Sequence, residues 1–356
     1  MIDIECILGM MYLVCMQTKY QKIVCKTERM ILRMKYHMIR RMLLLSIVAC
    51  AMTGSALAAE PTIPLQITPS KPMVQLVSNV VYAQVPDRGY PNKALTMDIT
   101  MPLDKKTHPA IIYINGGGFI NANKDGYIQQ RTELAEHGYV VASITYRVAP
   151  TTTFPGPLED VKASIRYLRA HAATFHIDPK RIGVLGGSAG GYLAAMAGTT
   201  NGTTQFDKGD FLNESSDVQA VVDLYGVSDL TKIGADYAPE IQAKHRSEGA
   251  TETLWVNGSP VFGGKSGGLA ANPEGVKAAN PMTYISDKTA PFLLMHGDAD
   301  TLVSPSQSEL LRQALADHHI EAVRYLVQGA AHGGPYWVQP EVMQIIIQFF
   351  DKHLKK

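Results

Sequence analysis

The sequence predicts an α/β fold with a mostly parallel central sheet flanked by helices. Three observations lead there. Of 356 residues, 46% are hydrophobic and 18% charged, the balance of a globular chain. From residue 74 onward, strand-like apolar runs alternate with stretches of helical spacing. Several of those runs, such as Ala110–Ile114, are continuously apolar, as strands buried on both faces must be.

The elements follow in order. Residues 74–85 and 94–101 read as two early strands, paired antiparallel. Ala110–Ile114 and Tyr139–Tyr146 are buried strands. Leu158–Ala173 has helical apolar spacing, closed by Asp178-Pro179. Arg181–Gly187 is a strand that runs into a glycine-rich turn, and Ala189–Ala197 continues as a helix of small residues. Val218–Tyr225 and Phe292–His296 are further strands, Ser304–His318 a helix, and Ile320–Val327 a strand. An amphipathic helix over Val338–His353 ends the domain. Residues of about 229–290 interrupt the alternation. They are rich in Gly, Asn, Ser and Pro, which predicts an irregular, lid-like or substrate-binding insertion within a single 74–356 domain.

The N-terminus reads differently. Residues 1–37 form an upstream segment with no expected part in the fold. Met38-Ile39-Arg40-Arg41, the apolar run Met42–Met52 and Ala56-Leu57-Ala58 match a secretory signal peptide over 38–59, with cleavage after Ala58 or Ala59. Secretion or periplasmic export is the expected localisation. An alternative uses Ile47-Val48-Ala49-Cys50 as a lipoprotein box, with a lipid on Cys50. The apolar run is too short for a stable membrane span. Residues 60–73 read as a Pro-rich linker. All four cysteines (Cys6, Cys15, Cys25, Cys50) precede residue 60, which excludes a thiolate nucleophile, a disulfide or a cysteine-ligated zinc from the main body. Residues 1–59 also hold eight Lys/Arg against three Asp/Glu, so the remainder carries 25 basic and 29 acidic residues and a net charge of −4. No basic field remains for a nucleic acid.

Four motifs suggest chemistry. Gly186-Gly187-Ser188-Ala189-Gly190 fits G-x-S-x-G between a predicted strand and a predicted helix. A serine in so tight a turn holds its Oγ clear of the sheet, at the positive end of the next helix. Dinucleotide binding is excluded there, because Ser188 and Ala189 occupy positions that would need glycine; Gly263-Gly264-Lys265-Ser266 fails as a P-loop, because its first glycine falls on Ser259. Asn115-Gly116-Gly117-Gly118-Phe119 follows a buried strand, and consecutive glycines let several amides face one point. Gly117, with Gly116, Gly118 and the amide of Ala189, is the expected oxyanion hole. Of eleven histidines, His332 alone lies in a glycine-rich loop between the last strand and last helix, where a general base can reach a nucleophile. The acid candidates are Asp300, then Asp298, both in the loop after Phe292–His296, and last Asp229. Asp300 is preferred, and Ser188, Asp300, His332 then stand in Ser…Asp…His order.

These motifs, with Ser143-Ile144-Thr145-Tyr146-Arg147, Phe154–Asp160, Asn280-Pro281 and His296–Val303, resemble an α/β-hydrolase of the esterase/lipase group over about residues 75–355. The nearest subgroup is the bacterial feruloyl/acetyl-xylan esterase-like family. The hormone-sensitive-lipase-like esterases are also similar, but this chain has Asn115 where they have His, Gly187 where they have Asp, and H-G-D-x-D-x-x-V in place of their acid motif. The resemblance implies the α/β-hydrolase fold, hydrolysis of a carboxylic ester through Ser188 and no cofactor or metal. An Arg147–Asp160 ion pair is expected beneath the site. The expected substrate is a small ester or an esterified carbohydrate, with Tyr192, Trp255 and Trp337 as candidate substrate-binding aromatics. The alternatives are a prolyl-oligopeptidase-like serine peptidase and a non-catalytic binding protein on a hydrolase fold.

Overall fold

The computed structural model of the chain describes residues 21, 26–42, 62–87 and 90–355. They fall into two compact units, Met1–Thr68 and Pro69–Lys356. In the first, residues 26–42 form helix α1, exposed along its length, and 62–68 lack regular structure. The apolar run from residue 43, the cleavage site and Cys50 lie outside the described residues. Among the described residues no helix is long and apolar enough to cross a membrane.

The second unit holds an eight-stranded sheet: β1 (Val74–Asp87), β2 (Tyr90–Pro102), β3 (His108–Ile114), β4 (Val140–Ile144), β5 (Ile177–Gly187), β6 (Val221–Leu224), β7 (Phe292–Gly297) and β8 (Ala322–Val327). Their order is β1-β2-β4-β3-β5-β6-β7-β8. β1–β2 and β2–β4 pair antiparallel, and every pair from β4–β3 to β7–β8 is parallel. The crossovers are α2 (Ile128–Glu136), α3 (Gly156–Ala170), α4 (Ala189–Thr199) and α8 (Ser306–Asp317), and α9 (Pro340–Leu354) ends the domain. Strand pleating sorts the core. Ile112 and Ile114 of β3 join α3, α4 and α8 in one apolar cluster, while Ile111 and Tyr113 join α2 and α9 in the other.

Two differences from the sequence reading have clear causes. The α2 helix is absent from that reading because its Ile-Gln-Gln-Arg-Thr-Glu-Leu-Ala-Glu stretch buries Gln130 and Arg131 beside Leu134 and Ala135, so no apolar stripe shows. The insertion is more regular than its composition suggests. It folds into α5 (Pro239–His245), α6 (Thr251–Asn257) and α7 (Pro273–Ala278), each too short to display a helical period.

What positions the site is a glycine-only crossing. A Cβ on Gly190 would lie 2.0 Å from the Ile114 carbonyl oxygen, and one on Gly186 would lie 2.2 Å from that of Gly190. The first turn of α4 is thereby pressed against the end of β3. Arg147 ties the chain after β4 to α3, with Arg147 Nη2 2.7 Å from Asp160 Oδ1 and the Arg147 amide donating to Oδ2 at 2.8 Å. Because backbone cannot yield as a side chain tip can, Gly190→Ala is expected to cost about 3 kcal/mol of stability by overpacking. Gly249→Ala, whose Cβ would meet nothing within 4 Å, is expected to stay within about 0.5 kcal/mol. Urea unfolding of the two variants checks the contrast.

Candidate active site

Ser188 sits between β5 and α4 at φ 57°, ψ −123°. That backbone is strained for a residue with a Cβ. The turn is held by the Ser188 amide, which donates to the Leu224 carbonyl at 2.9 Å. The crowding around it again demands glycine: a Cβ on Gly116 would lie 2.9 Å from Ser188 Cβ, and one on Gly187 would lie 2.8 Å from Tyr225 Oη.

His332 reaches this serine from the loop after β8. Its Nε2 lies 2.7 Å from Ser188 Oγ and its Nδ1 lies 2.7 Å from Asp300 Oδ2. A carboxylate only accepts, so Nδ1–H donates to Asp300 and the bare Nε2 accepts from the serine hydroxyl. Asp300 is buried, and its other oxygen accepts the amides of Leu302 (2.8 Å) and Val303 (3.0 Å). Burial works against its charge, but hydrogen bonds from His296 and His332 outweigh it and hold the carboxyl well below the usual carboxylate range. His296, fully buried, divides its Nε2–H between Asp300 Oδ2 (3.2 Å) and the Val303 carbonyl (3.0 Å). Sequence reasoning missed this second histidine, although it opens the acid motif. Tyr237 of the insertion also donates to the Asp300 carbonyl at 3.0 Å.

The alternative acids lie elsewhere. Asp298 accepts the Gly329 amide at 2.6 Å and so ties the acid loop to the histidine loop. Asp229 caps a short 3₁₀ turn through the Thr231 amide.

Ser188 and His332 line a cleft of about 350 Å³ with Asn115, Gly116, Gly117, Gly118, Tyr127 and Tyr225. Among the described residues, none accepts a hydrogen bond from the amides of Gly116, Gly117, Gly118 or Ala189. These donors are therefore available to an oxyanion beside Ser188. Gly118 at φ 58° and Phe119 at φ 66° turn the loop, and the Gly117 carbonyl accepts from Ile120 and Asn121 to hold it.

The three aromatics expected on the substrate are not there. Tyr192 and Trp255 are fully buried and pack on Phe119, with ring centroids 5.5 and 4.7 Å away, and the Tyr192 hydroxyl donates to the Ala279 carbonyl. Trp337 is fully buried against Tyr225, and its Nε1 donates to the Ala331 carbonyl beside His332. None of them lines the cleft, and no residue of the 229–290 insertion does either. Tyr127 and Tyr225 take that place. Tyr225 follows the carboxyl end of β6, a position where the strand-end rule applies. No sequence signal marks Tyr127.

The BD-FAE family model matches residues 97–315, more than half of the chain. The chain belongs to the BD-FAE family. This BD-FAE chain has the α/β-hydrolase fold, with its mostly parallel eight-stranded sheet flanked by helices. It is similar to the structure of a truncated carbohydrate esterase from gut microbiota, with a TM-score of 0.67 and 29% identity over 79% of this chain and 97% of that one. It is also similar to a bifunctional GH43-CE protein of Bacteroides eggerthii (TM-score 0.65, 27% identity, 78% of this chain and 35% of that one). Among curated relatives, Esterase LipQ of Mycobacterium tuberculosis is 30% identical over 63% of this chain and 49% of its own length. Esterase LipC of the same organism is 32% identical over 67% and 57%. The chain thus spans about half the length of the curated relatives it matches.

Behind the nucleophile turn, against Gly191, lies a buried carboxyl. Asp223 of β6 accepts the Gly226 amide at 2.9 Å through Oδ1, while its buried Oδ2 has no hydrogen-bond partner among the described residues. Burial pushes it up to about 7. Its unfolded value is near 3.9, so folding favours the protonated form. The resulting penalty is absent below about pH 4, grows between pH 4 and 7 and is complete above 7. Asp223→Asn, which cannot ionise, is therefore expected to gain Tm relative to wild type from pH 4 to pH 8, with no further relative change below pH 4. Melting curves across that range test the sign.

Proposed function

We propose that this protein is a serine esterase that cleaves short-acyl or aromatic carboxylic esters, acetyl or feruloyl groups on carbohydrate among them, through an acyl-enzyme on Ser188. The observation behind this reading is the unbroken chain from Ser188 Oγ to His332 to Asp300, each link 2.7 Å long. Ser188 attacks the ester carbonyl as His332 Nε2 takes its proton. The tetrahedral oxyanion that forms accepts from amides of the Gly116–Gly118 loop and Ala189, each such donor being worth about 10²–10³ in rate. Asp300 stabilises the imidazolium. His332 then returns the proton to the leaving alcohol, and a water activated by the same Nε2 releases the acid.

The relatives named as esterases, and the structural neighbour named as a carbohydrate esterase, support this chemistry and this substrate class. Export through residues 38–59 would suit an ester carried on a polymer outside the cell.

On p-nitrophenyl esters, kcat/KM is expected to fall from acetate to butyrate to octanoate. Ser188→Ala is expected to lower the acetate rate by at least about 10³-fold. A rate unchanged in that variant, or activity on peptide amides with none on aryl esters, would overturn the reading.

A further inference from the structure

The hydroxyls of Tyr127 and Tyr225 meet on the cleft wall at 3.1 Å, with Tyr225 donating to Tyr127. Tyr127 Oη also accepts the Gly334 amide at 3.2 Å. Both lone-pair positions of Tyr127 are thereby used, and its own proton has no acceptor among the described residues. Tyr225 is buried, and the proton it gives to Tyr127 stays inside the pair. The spare proton of the pair thus belongs to Tyr127, which is half-buried and lines the cleft.

Position assigns the side of the substrate that this proton meets. The Tyr225 ring packs edge-on against His332, with centroids 4.9 Å apart. A Cβ on Gly333 would come within 2.9 Å of Tyr127 Oη. The Tyr pair therefore flanks the base. In the reaction proposed above, His332 Nε2 hands its proton to the leaving oxygen, so the alcohol half of the ester lies on this side. A residue is held here at some cost: Tyr127 sits at φ 50°, a left-handed conformation unusual for an aromatic side chain, with no side-chain cap on α2.

We propose that Tyr127 is a specificity residue that donates a hydrogen bond to a free hydroxyl of the leaving alcohol, adjacent to the esterified one, so that the site selects polyol and sugar esters over simple alkyl esters. This rests on the esterase reading above and deepens it. A leaving group without a second hydroxyl leaves the Tyr127 proton to water, which a half-buried site admits. The expected preference is therefore modest, about tenfold, the value of one hydrogen bond net of solvent.

The test compares kcat/KM for glycerol monoacetate, ethyl acetate and p-nitrophenyl acetate in the full chain. Tyr127→Phe is expected to lower the ratio of glycerol monoacetate to ethyl acetate, and of glycerol monoacetate to p-nitrophenyl acetate, about tenfold. Tyr225→Phe retains the spare proton on Tyr127, so it is expected to keep the ratio of glycerol monoacetate to ethyl acetate even where it lowers all three rates. A Tyr127→Phe variant that lowers all three equally would overturn the proposal and assign Tyr127 to holding the His332 loop through Gly334. A variant that moves none of them would overturn it too. A wild type that cleaves none of the three, or cleaves them as fast after Ser188→Ala, would remove the esterase reading itself.

Discussion

Backbone meets backbone where the nucleophile turn crosses the end of β3, and the rest of the site depends on that contact. Gly186, Gly190 and Gly116 each stand where a Cβ would fall within 2.0 to 2.6 Å of a carbonyl oxygen. Removing those side chains lets α4 start directly over the carboxyl end of β3. Its N-terminus then faces the cleft, and the amides of the Gly116–Gly118 loop lie beside Ser188. The strained backbone at Ser188 persists because the glycine crossings beside it and its own amide, bonded to the Leu224 carbonyl, hold the turn. Positioning of this kind is fixed before substrate arrives, so no reorganisation is needed as charge develops.

The acid–base relay is built on the opposite principle, burial with every charge answered. Asp300 is almost inaccessible, yet its two oxygens accept from two backbone amides and two histidines. A buried carboxylate without such partners would protonate, as Asp223 is inclined to do a few residues from the same site. The contrast shows how local donors rather than depth decide which buried carboxyl stays ionised. The insertion contributes to this frame. Its Tyr237 and Asp236 bind the acid loop through the Asp300 carbonyl and the Ser304 and Ser306 positions.

Much of this was legible in the sequence, and the reasons differ by residue. Ser188, Asp300 and His332 each sit in a glycine-containing loop at the carboxyl end of a strand, so a local pattern marks them. The strands themselves show as apolar runs. Tyr192, Trp255 and Trp337 misled, because an aromatic residue in or near a loop looks the same whether it faces solvent or fills a core; only the packing of Phe119 and Tyr225 against them decides. Tyr127 and Tyr225 were hidden for the same reason in reverse. The α2 helix was invisible because its buried face is half polar: Gln130 takes the Tyr113 hydroxyl and donates to the Trp337 carbonyl, a partnership between segments some 200 residues apart.

On the proposed mechanism the strained Ser188, and no other residue, is the nucleophile, and His332 activates it. Peptide mass spectrometry after treatment with a p-nitrophenyl alkylphosphonate tests both parts at once. A single phosphonyl adduct is expected on the peptide that contains Ser188, formed at least about 10²-fold faster in wild type than in His332→Ala. An adduct on a different residue, or equal labelling rates in the two proteins, would contradict it.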